Sequence, residues 1–308
     1  MRLQFICLYF ERRITLKEIK KDNITYYFDS SIDPVAHVDL NEPFLIETVD
    51  CYGDALKSEK DLRSDFPDLI PNGATGPVFI KDIKKNDTLM IEILKIQIDK
   101  QGVMTTRPGG GLLGDLIEEH ETWILPVYDN HILFEDKLKI PINKMIGVIG
   151  TAPEVGSIRT SVPGKHGGNL DTKEITEGST LYLPAYHDGG LLSIGDLHAG
   201  MSDGEISGTG VEVSGKVILR VKKRNDIFLN YPVVETAQST LIISSDDDIN
   251  GALRDAAKTT IDLLMRKHKI SFTEAYRLIS IVGDVEISQL VNPKVTVRIS
   301  VPKSILKI

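Results

Sequence analysis

The chain has 308 residues, of which 41% are hydrophobic and 26% are charged, and its formal net charge is −8. This composition is typical of a folded globular protein and does not indicate disorder. Binding to nucleic acid or to an anionic membrane requires clustered Lys and Arg, so the sequence predicts neither partner.

Cysteine usage and the first residues indicate the expected compartment. Cys7 and Cys51 lie far apart, so no disulfide framework is implied and a cytoplasmic location is expected. We interpret residues 1–23 as an N-terminal extension. Its apolar run, Leu3 to Phe10, is interrupted by Gln4 and lacks a small-residue cleavage site, which argues against a signal peptide.

Residues 24–225 show the pattern of a β-rich body. Short apolar runs are separated by Asp, Asn, Pro and Gly at intervals of about ten residues. The predicted strands include Phe44–Val49, Thr88–Leu94, Met145–Ile149 and Lys216–Lys222. We therefore predict a mainly β fold with a jelly-roll-like β-sandwich body that carries the site.

Residues 226–308 are predicted to form an α+β part packed on this body. Apolar residues recur at helical spacing in residues 248–269, with acidic caps before them and Lys residues after them. Ser271 and Glu274 form a capping-box signature for a second helix, and residues 295–301 alternate like a strand. The predicted buried stripe of the first helix is Leu253, Ala257, Ile261, Leu264 and Met265.

A glycine-rich, acidic stretch near the middle of the chain holds most of the groups suited to chemistry. We expect residues 191–198 and 205–213 to form a hairpin across a six-residue turn. Pairing His198 with Glu205 would place Asp196 on the same face as these two residues, because side chains alternate along a strand. The sequence thus predicts three metal-capable groups at one point.

The neighbouring acids allow more than one interpretation. Glu212 would face the other side of the hairpin unless a bulge at Gly208 or Gly210 shifts the register. Asp196 and Asp203 could instead cap turns, and the histidine could be a hydrogen-bonded core residue. The grouping of these residues favours a functional site over separate structural roles.

Long motifs in the same region carry a family resemblance. They read PGKHGGNLD at residues 163–171, GGLLSIGDLHAGMSDGE at 189–205 and IETVDCYG at 46–53. The sequence resembles the acetamidase/formamidase family of metal-associated amide hydrolases over nearly everything after about Ile24. It departs from the family pattern at Ser202, where glycine is usual.

This resemblance implies an amidase that acts on short linear amides such as formamide and acetamide. Attack of a metal-bound water would release ammonia and the carboxylate. The expected cofactor is a divalent metal, Zn²⁺ in the first place and Ca²⁺ as the alternative, which would activate the water and polarise the carbonyl. The resemblance also implies a homo-oligomer, with a dimer as the leading expectation.

Roles for the candidate residues follow as hypotheses. The assigned metal ligands are Asp196 and His198, with Asp50 and Glu212 as candidates to complete the set. Glu205 is assigned as the proton shuttle, and Asp203 could take that role instead. The candidates that line the pocket are His166, Asn169 and Asp171. The N–H groups of Gly167 and Gly168 are either oxyanion donors or parts of a tight turn.

Three points remain open from the sequence. Asp50 ends a strand, where turn capping competes evenly with a ligand role. Cys51 could act as a thiolate nucleophile with Glu47 as its base, as in nitrilase-like amidases. The chain could also be a non-catalytic β-sandwich module in which the acid cluster holds a structural Ca²⁺ ion.

Overall fold

A computed structural model of the protein describes residues 16–308, so the run from Leu3 to Phe10 and most of the predicted N-terminal extension lie outside the described residues. The strands are β1 (Lys17–Ile19), β2 (Ile24–Thr25), β3 (Tyr27–Asp29), β4 (Ala36–Val38), β5 (Pro43–Thr48), β6 (Ala74–Ile80), β7 (Thr88–Ile98), β8 (Gln101–Thr106), β9 (Glu121–Pro126), β10 (His131–Phe134), β11 (Leu138–Pro141), β12 (Met145–Gly150), β13 (Ser157–Arg159), β14 (Gly167–Asn169), β15 (Thr180–Pro184), β16 (Leu192–His198), β17 (Glu212–Val213), β18 (Gly215–Arg224), β19 (Val233–Glu235), β20 (Ser239–Asp246), β21 (Asp284–Gln289) and β22 (Val295–Pro302). The helices are α1 (Ile249–His268) and α2 (Phe272–Val282).

Two nine-stranded sheets dominate residues 16–308. The first has the order β1-β5-β18-β7-β15-β19-β20-β22-β21, and the second runs β14-β12-β16-β17-β8-β9 with β2, β4 and β6 attached through β6. Side chains from both sheets, including Ile46, Leu197 and Val217, share one apolar core. Burial of both inner faces against each other explains why the short alternating runs form strands. The prediction of a mainly β fold with a sandwich body is confirmed.

The two predicted C-terminal helices are confirmed: α1 packs on β20 and β22, and α2 packs on α1 and β22. Asp248 caps α1 by accepting from the N–H groups of Asn250 and Gly251, and the Ser271–Glu274 capping box begins α2. The buried face of α1 differs in part from the predicted stripe. It consists of Ala252, Ala256, Thr260, Ile261, Leu263 and Leu264, whereas Leu253, Ala257 and Met265 are only partly buried.

The C-terminal strands continue the first sheet of the body. β19 pairs with β15, and β20, β22 and β21 follow in order. The division at residue 225 stays a prediction, since strands on both sides of it belong to one sheet. At the other end, β1 lies within the predicted extension and pairs in parallel with β5. Neither helix in residues 16–308 has the length and apolarity needed to cross a membrane.

Candidate active site

His198 lies at the end of β16, a strand inside the second sheet. In the sheet, His198 pairs with Met145 of β12 on one side and with Glu212 of β17 on the other. The predicted pairing of His198 with Glu205 is therefore wrong, and no bulge is needed to bring Glu212 to the site. β17 has only two residues, and residues 199–211 form a long loop instead of a six-residue turn.

Contacts from far along the chain hold this loop, residues 199–211, away from a regular ladder. The Gly204 N–H donates to the Ser288 carbonyl, and the Leu290 N–H donates to the Gly204 carbonyl. Glu205 has a left-handed backbone with φ 45°, which a regular strand does not contain. Glu205 therefore reaches the site from a loop. The alternation of residues along the sequence could not predict this, because it carries no information about contacts with distant residues.

Buried carboxylates surround the imidazole ring of His198. Its Nε2 lies 3.1 Å from Glu212 Oε2, 3.7 Å from Asp196 Oδ2 and 4.0 Å from Asp171 Oδ1. Ligand atoms of Asp171, His198 and Glu205 lie within 4.8 Å of one another. None of these five residues is more than 7% exposed. The structure thus brings together five of the predicted site residues, which we call the acidic cluster.

Several buried atoms of the acidic cluster have no hydrogen-bond partner within the described residues. They are Asp171 Oδ1, Asp196 Oδ1, Glu212 Oε2 and both ring nitrogens of His198. Buried polar atoms are normally paired, and unpaired ones carry a large free-energy cost. Of the two ring nitrogens, Nε2 is the one that lies within 4.0 Å of oxygens of Asp171, Asp196 and Glu212, which is the arrangement expected of a ligand set for a cation.

The electrostatics of the acidic cluster are dominated by burial. Burial raises the pKa of Glu212 to about 8 and, together with the charge of Asp196, raises the pKa of Asp171 to about 6. Burial opposes the charged form of His198, but the carboxylates, Glu212 first, outweigh it and raise its pKa well above the ordinary value. A divalent cation would relieve this crowding of negative charge.

The backbone of β12 approaches the acidic cluster closely at Gly147. A Cβ placed on Gly147 would lie 2.5 Å from Asp171 Oδ1 and 2.6 Å from Asp196 Oδ2. Any side chain at this position would displace both carboxylates, so the site requires glycine here.

Two asparagines that the sequence analysis missed support the acidic cluster. Asn292, in the loop between β21 and β22, donates through Nδ2 to Asp171 Oδ2 at 2.6 Å. Asn72, just before β6, donates through Nδ2 to Asp196 Oδ2 at 3.2 Å. Both lie in loops with no local pattern that marks them, although Asn72 stands in the turn-like segment PNG.

The hydrogen bonds of Asp50 support turn capping and not a ligand role. Its Oδ1 accepts from the N–H groups of Tyr52 and Asp54, each at 2.8 Å. The neighbouring residue, Cys51, reaches the acidic cluster in its place. Asp50 and Cys51 are consecutive residues, so their side chains point in different directions and only one of the two reaches the site.

The surroundings of Cys51 do not favour a thiolate nucleophile. Its Sγ and the ligand atoms of Asp196 and Glu212 lie within 4.8 Å of one another. Burial, followed by the charges of Glu212 and Asp196, raises the pKa of the thiol well above its ordinary value. The proposed base, Glu47, is engaged in an ion pair with Lys216 at 2.7 Å.

Asp203 and Glu205 have opposite electrostatic surroundings. Asp203 Oδ2 accepts from Lys173 Nζ at 2.7 Å and from Arg298 Nη2 at 2.9 Å. Burial opposes the ionisation of Asp203, but these hydrogen bonds outweigh it and lower its pKa. Burial and then the charge of Asp171 raise the pKa of Glu205 well above its ordinary value. Of the two, Glu205 is the group whose surroundings favour the protonated form.

Arg298, on β22, is fully buried and pairs with three carboxylates. Nε lies 3.1 Å from Glu174 Oε2, and Nη2 lies 2.9 Å from Asp203 Oδ2 and 2.6 Å from Glu286 Oε2. This residue ties the loop that carries Glu205 to the C-terminal part. The sequence pattern VTVRISVP indicates an ordinary alternating strand and gave no signal for this role.

The GGN segment forms β14 and pairs with β12. The Gly167 N–H donates to the Gly164 carbonyl, as the tight-turn interpretation expects. His166 Nε2 and Asn169 Oδ1 are buried without a hydrogen-bond partner among residues 16–308. Burial lowers the pKa of His166 to about 4, so its ring is neutral at physiological pH, and it packs edge-on against Phe28.

The fold and the site together place the protein among mainly β proteins that have a buried centre of carboxylates and histidine. Strongly shifted pKa values of such buried groups often mark functional sites. Within that class, the chain matches the Acetamidase/Formamidase family over residues 15–156 and 154–308 and belongs to this family.

Individual relatives agree with this membership. The crystal structure of an acetamidase from Bacillus halodurans is 37% identical, with a TM-score of 0.90 over 93% of this chain and 97% of that chain. An acetamidase from Yersinia enterocolitica is 26% identical, with a TM-score of 0.88 over 98% of this chain and 99% of that chain. A formamidase from Methylophilus methylotrophus is 36% identical over 129 residues, which are 35% of this chain and 32% of the formamidase.

Proposed function

We propose that the protein is a metal-dependent amidase that hydrolyses short aliphatic amides, of the formamide and acetamide type, to ammonia and the carboxylate. The observation that carries the proposal is the convergence of unpaired, buried ligand atoms around His198 Nε2. Membership of the Acetamidase/Formamidase family supports the choice of amides as substrates.

The side chains best suited to hold the ion are His198, Asp196 and Glu212, with Cys51 or Asp171 beside them. Ligand atoms around a tetrahedral ion with bonds of about 2.1 Å lie about 3.4 Å apart. The distances from His198 Nε2 to Glu212 and Asp196, 3.1 Å and 3.7 Å, lie on either side of this value. Imidazole and thiol ligands favour Zn²⁺, while Ca²⁺ prefers oxygen ligands alone.

The protein groups supply positioning and proton transfer. When bound, a divalent ion polarises a carbonyl and lowers the pKa of its water to about 7. The raised pKa of Glu205 favours its protonated form, and from this form it would deliver a proton to the amide nitrogen as the C–N bond breaks. Asn292 and Asn72 hold the carboxylates of Asp171 and Asp196 in fixed orientations.

Metal removal tests the proposal. We expect chelator-treated, dialysed protein to lose ammonia release from formamide and acetamide, and added Zn²⁺ to restore it. Ca²⁺ is tested in a parallel sample. Full activity in protein shown by elemental analysis to be metal-free would refute the metal-dependent mechanism. Restoration of thermal stability by Ca²⁺ in a protein that hydrolyses no amide would instead favour the non-catalytic module.

Replacement of Cys51 separates the two enzyme mechanisms. We expect Cys51→Ser to retain ammonia release when Zn²⁺ is in excess, because the thiol is not the nucleophile and the serine hydroxyl places an oxygen near the position of the sulfur. The assay is steady-state hydrolysis of acetamide with Zn²⁺ present. Complete loss of activity with unchanged metal content would favour the thiolate mechanism.

The glycine beneath the carboxylates offers a second test of the site. We expect Gly147→Ala to weaken metal binding and amide hydrolysis by about 10–100-fold, because its Cβ displaces Asp171 and Asp196. Gly178→Ala is the control for backbone strain without a steric clash, since a Cβ there meets no atom within 4 Å although its φ of 87° disfavours a side chain. Metal affinity is measured by competition with a chromogenic chelator, and equal affinities for both variants would contradict the proposed ligand set.

A further inference from the structure

A cavity of about 580 Å³ opens directly beside the acidic cluster. Its lining includes Glu205, Thr209 and Gly210. The Thr209 hydroxyl donates to Glu212 Oε1 at 2.9 Å, and a Cβ on Gly210 would lie 2.6 Å from His198 Nδ1. Among the described residues that line the cavity, Glu205 belongs to the acidic cluster, while Thr209 and Gly210 contact Glu212 and His198 from behind.

The wall of the cavity is mostly apolar. It includes Met104, Ile117, Leu125, Ile132, Phe134 and Met201. Leu125 and Ile132 also belong to the buried core of the body, so this part of the wall is a fixed surface. Apolar walls with a few polar groups at one end are typical of small-molecule sites.

The charges in the lining do not favour an ionic ligand. Asp203 and Glu205 are the only charged residues among those described that line the cavity. Asp203 is neutralised by its ion pairs with Lys173 and Arg298. The body of the cavity therefore suits a neutral, apolar group, with polar chemistry confined to the end at Glu205.

The mouth of the cavity is apolar as well. Leu113 and Ile206, which both line it, are 58% and 55% exposed. Their two loops are joined by a hydrogen bond from the Leu112 N–H to the Ile206 carbonyl. The lining of the cavity thus includes exposed apolar residues at the mouth as well as buried ones such as Leu125 and Ile132.

We propose that the preferred substrates are neutral amides whose acyl group is a medium-length alkyl chain or a hydrocarbon ring, seated in this cavity with the carbonyl at the acidic cluster. Pockets of about 300–1,000 Å³ hold ligands far larger than acetamide, which has only one methyl group. This inference rests on the proposed amidase function and extends its substrate class from formamide and acetamide to amides with larger acyl groups.

A homologous series of amides tests the inference in the Zn²⁺-loaded protein. From acetamide through butanamide to hexanamide, kcat/KM is expected to rise about fourfold for each methylene that leaves water. A fall in kcat/KM along the series, with acetamide still hydrolysed, would overturn the inference while the proposed function stands.

A cavity-filling variant and its control test whether the preference for hexanamide arises in this cavity. Met104→Trp is expected to lower the ratio of the kcat/KM values for hexanamide and acetamide at least tenfold. Ile281→Trp, on the exposed face of α2 and outside the cavity, is expected to leave both values unchanged. An unchanged ratio in correctly folded Met104→Trp would overturn the inference.

If no amide were hydrolysed at all, the proposed function would fail. The preference of the cavity for larger acyl groups would then be tested separately by measuring the binding of amides. Calorimetric titration would then compare hexanamide with acetamide on the wild-type chain and on Met104→Trp. Tighter binding of hexanamide, reduced in the variant, supports the inference. Equal or absent binding overturns it, as does self-association that closes the mouth to amides.

Discussion

Glu205→Gln is expected to lower kcat for acetamide hydrolysis by about 10²–10⁴-fold, the usual contribution of a positioned general acid or base. Gln has the same shape as Glu but cannot donate a proton to the leaving nitrogen. Glu205 is the suitable donor because burial and Asp171 raise its pKa well above the ordinary value. The measurement is steady-state ammonia release, together with the metal content of wild type and variant.

Asp203→Asn is the matched control on the same loop. Asp203 is paired with Arg298 and Lys173, and its lowered pKa leaves it ionised. We expect this variant to lose less than about tenfold in kcat, because its role is to hold the loop. A larger loss for Asp203→Asn than for Glu205→Gln, at equal metal content, would exchange the two roles.

Arg298→Met is expected to lower the free energy of unfolding by about 1–3 kcal/mol, since it leaves three partly buried carboxylates without their cation. Arg298 is fully buried and lies 2.6–3.1 Å from Glu174, Asp203 and Glu286. The measurement is urea unfolding followed by circular dichroism, with fluorescence as a second probe of two-state behaviour.

The control for this variant is Arg224→Met. Arg224 pairs with Asp226, whose side chain is 63% exposed, and such surface pairs contribute about 0–1 kcal/mol. Equal losses of stability in the two variants would show that the buried network at Arg298 is no stronger than a surface pair. A stable Arg298→Met protein with lower amidase activity would assign Arg298 to loop positioning alone.

The local parts of the fold were predictable because they depend on neighbouring residues. The cap of α1 at Asp248 and the capping box of α2 at Ser271 are set by spacings of three residues or fewer, and both occur in the structure. The buried face of α1 was placed less well. Ala252 and Ala256 form part of it because the buried side of the helix is the side that packs against β20 and β22.

The residues of the candidate site could be predicted from the sequence, but the geometry that brings them together could not. Asp171, Asp196, His198, Glu205 and Glu212 do converge, as the crowding of acids and glycines indicated. The hairpin that was expected to join them was wrong. Glu212 is the strand partner of His198, and Glu205 enters from a loop held by Ser288 and Leu290.

The sequence by itself determined the mainly β class, the two helices, the family and the chemical groups available, because strand alternation, helix caps and long motifs are local properties. Only the tertiary structure decided that Cys51 and not Asp50 approaches the carboxylates, and that Asn72 and Asn292 donate hydrogen bonds to two of them. It also decided that Arg298 pairs with Asp203 on the loop that carries Glu205. These contacts join residues far apart in the chain, and their formation depends on how the two sheets and the C-terminal part pack together.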